Sequence, residues 1–339
     1  MPTSPTPSTT PAAPTPLQAR VLEARALNPF IRLFRLGALE GEALPGFTAG
    51  AHVRVRVTLA DGNIDWRHYS LINISAEPGA TASPAEYLIA VREEADGRGG
   101  SRFMHQRVQA GDMLTIEPPK NDFALQAGPG RAVLVAGGIG VTPLASMAAQ
   151  RRAEGADVRL HYAGRSRDGM AFLPELRALL GDALIVHADA EVGAPLDIKA
   201  LLAGCDPQDR LYVCGPKPML DAVLAHTLAC GWSHERVHFE LFTTPVVEAG
   251  DQPFELVIAS TGQRFMVPAD VTILDAMIAH GCDPMFDCKR GECGVCATPV
   301  MEGEIDHRDY VLTAREKAAG NVIQVCISRA KGPRLVLDI

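Results

Sequence analysis

The stretch D-C-K-R-G-E-C-G-V-C, residues 287–296, contains three cysteines in the spacing C-x4-C-x2-C. They are Cys288, Cys293 and Cys296, and a fourth, Cys326, follows in the later segment I-Q-V-C-I-S. Three thiols from one tight loop and one from a separate segment can surround a small metal centre. This stretch therefore predicts both the fold and the chemistry of the C-terminal part of the chain.

The spacing of the four cysteines is that of plant-type ferredoxins, which bind a [2Fe–2S] cluster. Gly291 and Gly294 fall between the ligands, where the backbone has to turn sharply and approach inorganic sulfide. A structural zinc site is the alternative, but zinc usually takes two C-x2-C pairs or a mixture of Cys and His, and only one C-x2-C is present. We therefore predict a [2Fe–2S] cluster and interpret the nearby Cys282 as a small buried side chain.

Length, charge and cysteine usage narrow the class of protein. A chain of 339 residues has room for two or three domains, and its net charge of -8 without a basic stripe argues against binding nucleic acid. The sequence contains no run of 18 apolar residues, so we predict no membrane span. Residues 1–16 are Pro/Thr-rich and lack the features of a signal peptide, so we expect a disordered tail. Eight cysteines without an export signal favour the reducing cytoplasm.

The patterning of the chain predicts a multidomain protein. Residues 17–125 alternate apolar and polar side chains between turn signals, which is typical of an antiparallel β-barrel. In residues 126–244 short apolar runs alternate with helical stretches, which predicts an α/β domain with a parallel sheet. Residues 245–253 are rich in turn formers and indicate a linker. Residues 254–339 begin with a hairpin that turns at Thr261-Gly262 and predict an α+β, ferredoxin-type β-grasp domain.

Two motifs in the predicted barrel are suited to binding a phosphorylated aromatic group. In R-H-Y-S-L, residues 67–71, strand alternation places Arg67 and Tyr69 on one face and His68 and Ser70 on the other. Arginine can contact a phosphate, and tyrosine can pack on an aromatic ring. In G-R-G-G-S, residues 97–101, a glycine-rich turn opens a helix whose free N–H groups favour an anion. Taken alone, each motif is more often an ordinary strand or loop.

Two further motifs lie at predicted strand ends of the α/β domain. The run A-V-L-V-A-G-G-I-G-V-T-P-L, residues 132–144, reads as a buried strand, a glycine turn and a helix with Thr142 as N-cap. Glycines there let a dinucleotide approach the backbone, although the pattern is not G-x-G-x-x-G. The second motif is V-C-G-P-K-P-M-L, in which Cys214 ends a strand. In open α/β sheets ligands bind at this edge.

These motifs occur together and in a fixed order, and the chain after residue 17 resembles the phthalate dioxygenase reductase family. The resemblance implies a flavin barrel, a nicotinamide domain and a ferredoxin domain, in that order. It implies FMN as the flavin, rather than FAD, and NADH as the donor, rather than NADPH. Arg165 beside Ser166 could instead bind the 2′-phosphate of NADPH.

The resemblance also implies site residues. Those expected to hold the flavin are Arg67, His68, Tyr69, Ser70, Gly99, Gly100, Ser101 and Phe242. Gly99, Gly100 and Ser101 would bind its phosphate, and Ser70 would lie near its reactive edge. Gly138, Thr142 and Cys214 would line the nicotinamide pocket. Ser70 and Cys214 are the candidate catalytic residues.

The implied function is a monomeric reductase that feeds a separate terminal oxygenase, of the Rieske type, acting on an aromatic acid or aryl ether. A nicotinamide gives up two electrons together and a [2Fe–2S] cluster accepts one, so a flavin has to lie between them. A reductase of a diiron hydroxylase is one alternative, and a non-catalytic protein whose four cysteines hold structural zinc is another. For the oxygenase we expect a docking face on the rim of the cluster loop, including Lys289, Arg290 and Glu292.

Overall fold

The computed structural model describes residues 15–40, 42–95, 97–242, 248 and 250–339. The chain divides into two compact units, Met1–Phe239 and Glu240–Ile339. Residues 1–14 of the predicted tail, and 245–247 and 249 of the predicted linker, lie outside the described residues. The domain boundaries drawn from the sequence stay predictions.

Six strands of the first unit form a sheet in the order β4-β3-β6-β1-β2-β5. The bounds are β1 Leu17–Asn28, β2 Ile31–Gly37, β3 His52–Thr58, β4 Ile64–Ser70, β5 Glu86–Arg92, α1 Gly100–Arg107 and β6 Met113–Ile116. In β3 the valines 53, 55 and 57 are fully buried while Arg56 and Thr58 are exposed, as a barrel strand requires. The Ile72 N–H, just after β4, donates to Leu88 O of β5 at 2.9 Å. The two edges of the antiparallel sheet therefore meet, and the predicted barrel is confirmed.

The second sheet of this unit has the order β11-β10-β7-β8-β9, and the pairs from β10 to β9 are parallel. The bounds are β7 Ala132–Gly137, α2 Val141–Ala153, β8 Val158–Gly164, α3 Leu173–Leu180, β9 Leu184–Ala188, α4 Asp189–Val192, α5 Ile198–Ala203, β10 Arg210–Cys214, α6 Lys217–Ala229 and β11 Val237–Glu240. Every residue of β7 is buried, as expected of a strand covered on both faces. The chain order reverses between β7 and β10, so the ligand edge of the predicted α/β domain lies at their carboxyl ends.

The barrel and the parallel sheet share a hydrophobic core. One buried cluster contains Ile31 of β2 together with Leu134 of β7. A buried hydroxyl adds a polar link, because Ser146 Oγ in α2 donates to Leu71 O at 2.8 Å and accepts from the Asn73 N–H at 2.8 Å. The segment that follows β4 is therefore fixed directly to the helix that follows β7.

The second unit contains a five-stranded sheet in the order β13-β12-β18-β14-β16 and a small pair, β15-β17. The bounds are β12 Phe254–Ile258, β13 Arg264–Val267, α7 Ile273–Ala279, β14 Ala297–Glu302, β15 Ile305–Asp306, α8 Ala314–Ala319, β16 Val322–Gln324, β17 Arg329–Ala330 and β18 Arg334–Leu337. The hairpin turn at Thr261-Gly262 is confirmed, with Gly262 at a φ of 70°. The strands pack around α7, whose Ile273, Leu274 and Met277 lie in the core of this unit, in agreement with the predicted ferredoxin-type fold.

Within the residues that the structure describes, no helix combines the length and the apolar character needed to cross a bilayer.

Candidate functional site

The first two sequence motifs meet in the folded barrel. Arg67 of β4 lies against Gly100, the first residue of α1, so closely that a Cβ added there would come within 2.4 Å of Arg67 Nε. Gly99, the preceding residue, has a φ of 84° and lets the chain turn into the helix. No acidic residue occupies the first turn of α1, and no side chain of the described residues caps it. A guanidinium and the free N–H groups of a helix start are thus placed together, an arrangement suited to a phosphate.

The side chain of Arg67 is held in place by its own strand. It forms an ion pair with Asp65, donates to Trp66 O at 3.0 Å and points a further N–H at Arg98 O at 3.4 Å. Burial raises the pKa of Asp65, but the hydrogen bonds from Arg67 and the Trp66 N–H, together with the positive charges of Arg67 and Arg98, outweigh it and leave that pKa below its usual value. Sequence reasoning missed Asp65. Its signal was the i, i+2 spacing, which puts both side chains on one strand face.

The end of β4 carries two buried hydroxyls that lack a hydrogen-bond partner among the described residues. Tyr69 Oη and Ser70 Oγ are both covered from solvent and unsatisfied. Burying a hydroxyl unpaired is costly, so such atoms mark a place where a polar ligand group fits. His68, the residue before them, stacks on His52 with ring centroids 4.7 Å apart. These observations fit a flavin with its phosphate at Arg67 and its polar ring edge at β4.

The glycine turn after β7 lies against the end of β10. A Cβ on Gly215 would come within 3.0 Å of Gly137 Cα, and one on Gly140 within 2.1 Å of Cys214 O. The two strand ends are therefore in backbone-to-backbone contact, which only glycine permits. Gly138 has a φ of 55° and forms a single 3-10 turn with the next two residues. The site at the carboxyl ends of β7 and β10, where the chain order reverses, is thus shaped by the backbone rather than by side chains.

The structure corrects one detail of this turn. The sequence predicted Thr142 as the N-cap of α2, but the helix begins at Val141 with Gly140 before it. The 3-10 turn runs directly into the helix, so the Thr142 hydroxyl donates to Ile139 O at 3.0 Å instead of accepting an N–H. Thr142 is 2% exposed and Cys214 is fully buried. Their roles in a nicotinamide pocket stay predictions.

The cysteine loop of the second unit brings its thiols together. Contacts join Cys288 to both Cys293 and Cys326, and Cys326 to Cys296. Gly291 and Gly294 have φ values of 76° and 77°, so the predicted turns between the ligands are confirmed. Cys293 is the most accessible of the four, since the other three are buried.

Backbone N–H groups surround the first ligand. The Arg290 N–H donates to Cys288 Sγ at 3.3 Å. The neighbouring thiols of Cys293 and Cys326, with the N–H groups of Arg290 and Glu292, hold the pKa of Cys288 far below that of a free thiol. The same contacts raise the pKa of Cys293 and of Cys326, so the thiolate, which is the form that binds metal, is favoured at Cys288 in particular.

The predicted docking rim is wrong for two of its three members. Arg290 is 6% exposed, and its guanidinium pairs with Glu292 at 2.7 Å. Glu292 Oε2 also accepts the Leu241 N–H at 2.8 Å. Paired charges can be buried where single charges cannot, and composition alone does not reveal the pairing. Lys289 remains partly exposed, with Nζ 3.1 Å from Asp275 Oδ1.

Comparison with known proteins agrees with this geometry. A model of the 2Fe-2S iron-sulfur cluster binding domain matches residues 256–331, a range that contains all four cysteines. A model of the N-terminal domain of DmmA-like dimethylamine monooxygenase subunits matches residues 113–237. The solved structure of phthalate dioxygenase reductase is 34% identical, with a TM-score of 0.72, and the match covers 96% of this chain and 98% of that one. The chain belongs to the phthalate dioxygenase reductase family.

Curated relatives extend the family. The toluene-4-sulfonate monooxygenase system reductase subunit of Comamonas testosteroni is 39% identical over 94% of this chain and 98% of its own. The vanillate O-demethylase oxidoreductase of Pseudomonas putida is 40% identical over 90% and 94%. The heme-dependent oxidative N-demethylase beta subunit of Ectopseudomonas mendocina is 38% identical over 95% and 99%.

Family membership confirms the general function predicted from the sequence. The protein is an electron-transfer oxidoreductase, the reductase component of an oxygenase system, with a flavin domain and a [2Fe–2S] domain. The cluster-domain match favours the iron–sulfur interpretation over structural zinc. Phe242 belongs to the second unit and is 38% exposed, and its place beside the flavin stays a prediction.

Proposed function

We propose that this protein is an NADH-dependent reductase that passes electrons through FMN and a [2Fe–2S] cluster to a separate oxygenase. The observation that carries the proposal is the match, over nearly the full length of both chains, to a structure described as transferring electrons from pyridine nucleotides to [2Fe-2S]. Bound flavin would accept electrons in pairs and release them singly. The residues of this chain have to bind, orient and shield the cofactors.

In the barrel, Arg67 and the first N–H groups of α1 would bind the FMN phosphate. Gly99 and Gly100 keep that space open, since a side chain at Gly100 would displace Arg67. Ser101 Oγ accepts the Glu94 N–H at 3.0 Å and thereby fixes the loop that enters the helix. Tyr69 and Ser70 would satisfy their buried hydroxyls on the flavin ring.

At the parallel sheet, the glycine turn after β7 and the Cys214-Gly215 end of β10 would hold the nicotinamide half of NADH. Backbone contact between the two strand ends leaves a narrow, rigid edge. A rigid edge favours a single orientation of the donor, and orientation is a large part of what an enzyme contributes to hydride transfer. Gly138 and Thr142 would lie beneath the bound dinucleotide.

In the second unit, Cys288, Cys293, Cys296 and Cys326 would bind the two irons. The N–H of Arg290, already directed at Cys288 Sγ, would donate to the ligand sulfur. Hydrogen bonds to ligand sulfur raise the reduction potential of a cluster. We expect a potential above the roughly −400 mV typical of plant-type clusters.

For the partner we propose a Rieske-type oxygenase acting on an aromatic acid or aryl ether, which the vanillate O-demethylase relative supports. A haem oxygenase is the second candidate, because the heme-dependent oxidative N-demethylase beta subunit is 38% identical over 95% of this chain. The partner sets the substrate. Turnover with each purified oxygenase class would separate the two. We also propose that the protein is a monomer and that it is located in the cytoplasm.

The first experiment is a visible absorption spectrum of the purified protein, before and after anaerobic NADH, with the released flavin identified by chromatography. We expect flavin and iron–sulfur bands that bleach with NADH, and released FMN. Bands that NADH leaves unchanged would contradict NADH as the electron donor, and released FAD would contradict FMN as the flavin. Iron without acid-labile sulfide, or zinc in its place, would contradict the cluster.

A further inference from the structure

At the carboxyl edge of the parallel sheet, the segments that follow β8 and β9 are joined by an ion pair. One loop follows β8 and reads Arg165-Ser166-Arg167, and the other is the short helix α4 after β9. Arg167 Nε lies 2.6 Å from Glu191 Oε1. The Ala190 N–H donates to Arg165 O at 2.9 Å, so the backbones are joined as well.

This pair lies on the edge where the proposed donor binds. Gly137 of β7 is in register with Ala163 of β8, and Gly164 with Ala188 of β9. The glycine turn, the arginine loop and α4 therefore follow one another along the same edge. In doubly wound folds, the ribose 2′ position is recognised at the end of the strand that follows the glycine turn, by a carboxylate for the hydroxyl of NAD and by an arginine for the 2′-phosphate of NADP. Arg167 follows that strand, β8, and its ion pair brings Glu191 from the end of the next strand to it.

The local charge disfavours a phosphate. Residues 165–168 and the helix α4 together carry two arginines, Arg165 and Arg167, against three carboxylates, Asp168, Asp189 and Glu191. The hydrogen bond between Arg167 and Glu191 also lowers the pKa of Glu191, so this carboxylate is charged at neutral pH. A phosphate monoester adds about two negative charges. It would have to displace Glu191 from Arg167 and then face the released carboxylate.

We infer that Glu191 selects NADH over NADPH by occupying Arg167, the guanidinium that would otherwise bind the 2′-phosphate. This inference rests on the proposed function and names the residue that sets its donor. The neutral 2′-hydroxyl of NADH makes no such demand on Arg167, because it can bond to Glu191 while the ion pair stays intact.

The test compares kcat/KM for NADH and NADPH in the full-length holoenzyme, with ferricyanide as acceptor. Glu191→Gln should raise the NADPH-to-NADH ratio about tenfold, the size of a gained charge-assisted hydrogen bond. The gain should lie in KM rather than kcat, because the 2′-phosphate is remote from the reacting atoms. Calorimetry should show tighter binding of 2′,5′-ADP relative to 5′-AMP, and the gain should shrink at high salt.

Two further variants make the result specific. Glu304→Gln breaks a comparable exposed pair, with Lys331 at 2.9 Å, and should leave the ratio unchanged. Arg167→Ala combined with Glu191→Gln should lose the gain, and a gain that persists would overturn the role of Arg167. An NADPH-to-NADH ratio in Glu191→Gln equal to that in Glu304→Gln would overturn this inference and leave the proposed function intact. A parent protein that oxidises neither nucleotide overturns the proposed function and this inference with it.

Discussion

At the scale of single residues, Tyr69 offers a direct test of the flavin site. Its hydroxyl is buried without a partner among the described residues, and burial raises its pKa well above the usual value. Tyr69→Phe should weaken FMN binding roughly five- to tenfold, the value of one lost hydrogen bond. The flavin-free protein should keep its stability or gain slightly, since an unpaired hydroxyl is removed.

Flavin fluorescence titration and thermal unfolding of the flavin-free protein check the two expectations for Tyr69→Phe separately. Ser83→Ala, at an exposed position of the same unit, is the matched control and should alter neither. Equal loss of stability with and without flavin would mean that Tyr69 supports the barrel rather than the ligand.

His161, on β8, should make stability depend on pH. Burial, with the nearby Arg159 and Arg131, lowers the pKa of His161 to about 4. The unfolded chain takes up a proton near its ordinary pKa of about 6.5. Below that pH the unfolded state therefore binds more protons than the native state. Stability is lost as the pH falls from about 6.5 toward 4, by at most about 3 kcal/mol.

Urea unfolding at pH 7.5 and pH 5 measures this loss through the two tryptophans, Trp66 and Trp232, which both report on the first unit. His161→Gln should unfold with a smaller difference between the two pH values. Identical differences in the parent and the variant would assign the pH dependence to other groups.

At the scale of elements, the junction of β4 and α1 determines whether the phosphate site exists. Gly100→Ala places a methyl group where Arg67 Nε lies, so the guanidinium has to move. FMN affinity should fall by about tenfold or more, because overpacking of this kind typically costs about 1–3 kcal/mol. Equilibrium titration with FMN measures it.

Gly204→Ala is the control for Gly100→Ala, since its new Cβ would lie at an ordinary 3.5 Å from Leu201 O. Unchanged FMN affinity in both variants would remove the helix start from the flavin site.

The sequence predicted elements better than it predicted their contacts. The R-H-Y-S-L strand, the glycine turn and the hairpin at Thr261-Gly262 follow from local alternation and from glycine conformation, and all three are present. The approach of Arg67 to Gly100 joins residues more than thirty positions apart, which no local pattern encodes. Arg290 appeared to be a surface charge because its partner Glu292 could be identified only in the folded loop.

At the scale of the whole molecule, the order of electron transfer can be tested by removing the cluster. Cys293→Ser deletes one ligand of four, so the iron–sulfur bands should disappear while NADH still bleaches the flavin. Reduction of cytochrome c should fall at least about tenfold, because this acceptor would take its electrons from the cluster, and loss of even an outer-shell partner of a metal ligand costs about 10–100-fold. Reduction of a small dye that accepts electrons from flavin should survive.

Cys230→Ser serves as the control for Cys293→Ser, since this exposed cysteine lies outside the four-cysteine set. It should leave both reductions unchanged. Loss of both cytochrome c reduction and dye reduction in Cys293→Ser would mean that the cluster loop is needed for the stability of the entire chain, or that electrons do not pass from flavin to cluster.

The hydroxyl of Ser146 and the buried cluster that it adjoins have a consequence for dissecting this reductase. Because barrel and parallel sheet share one interior, neither is a self-contained module, and a fragment holding only the nucleotide-binding sheet would expose the apolar surface that Ile31 covers. The two would melt in a single calorimetric transition. Exchange of parts between relatives should therefore keep the barrel and the parallel sheet together through the end of β11, and treat the unit with the four-cysteine set as the interchangeable piece.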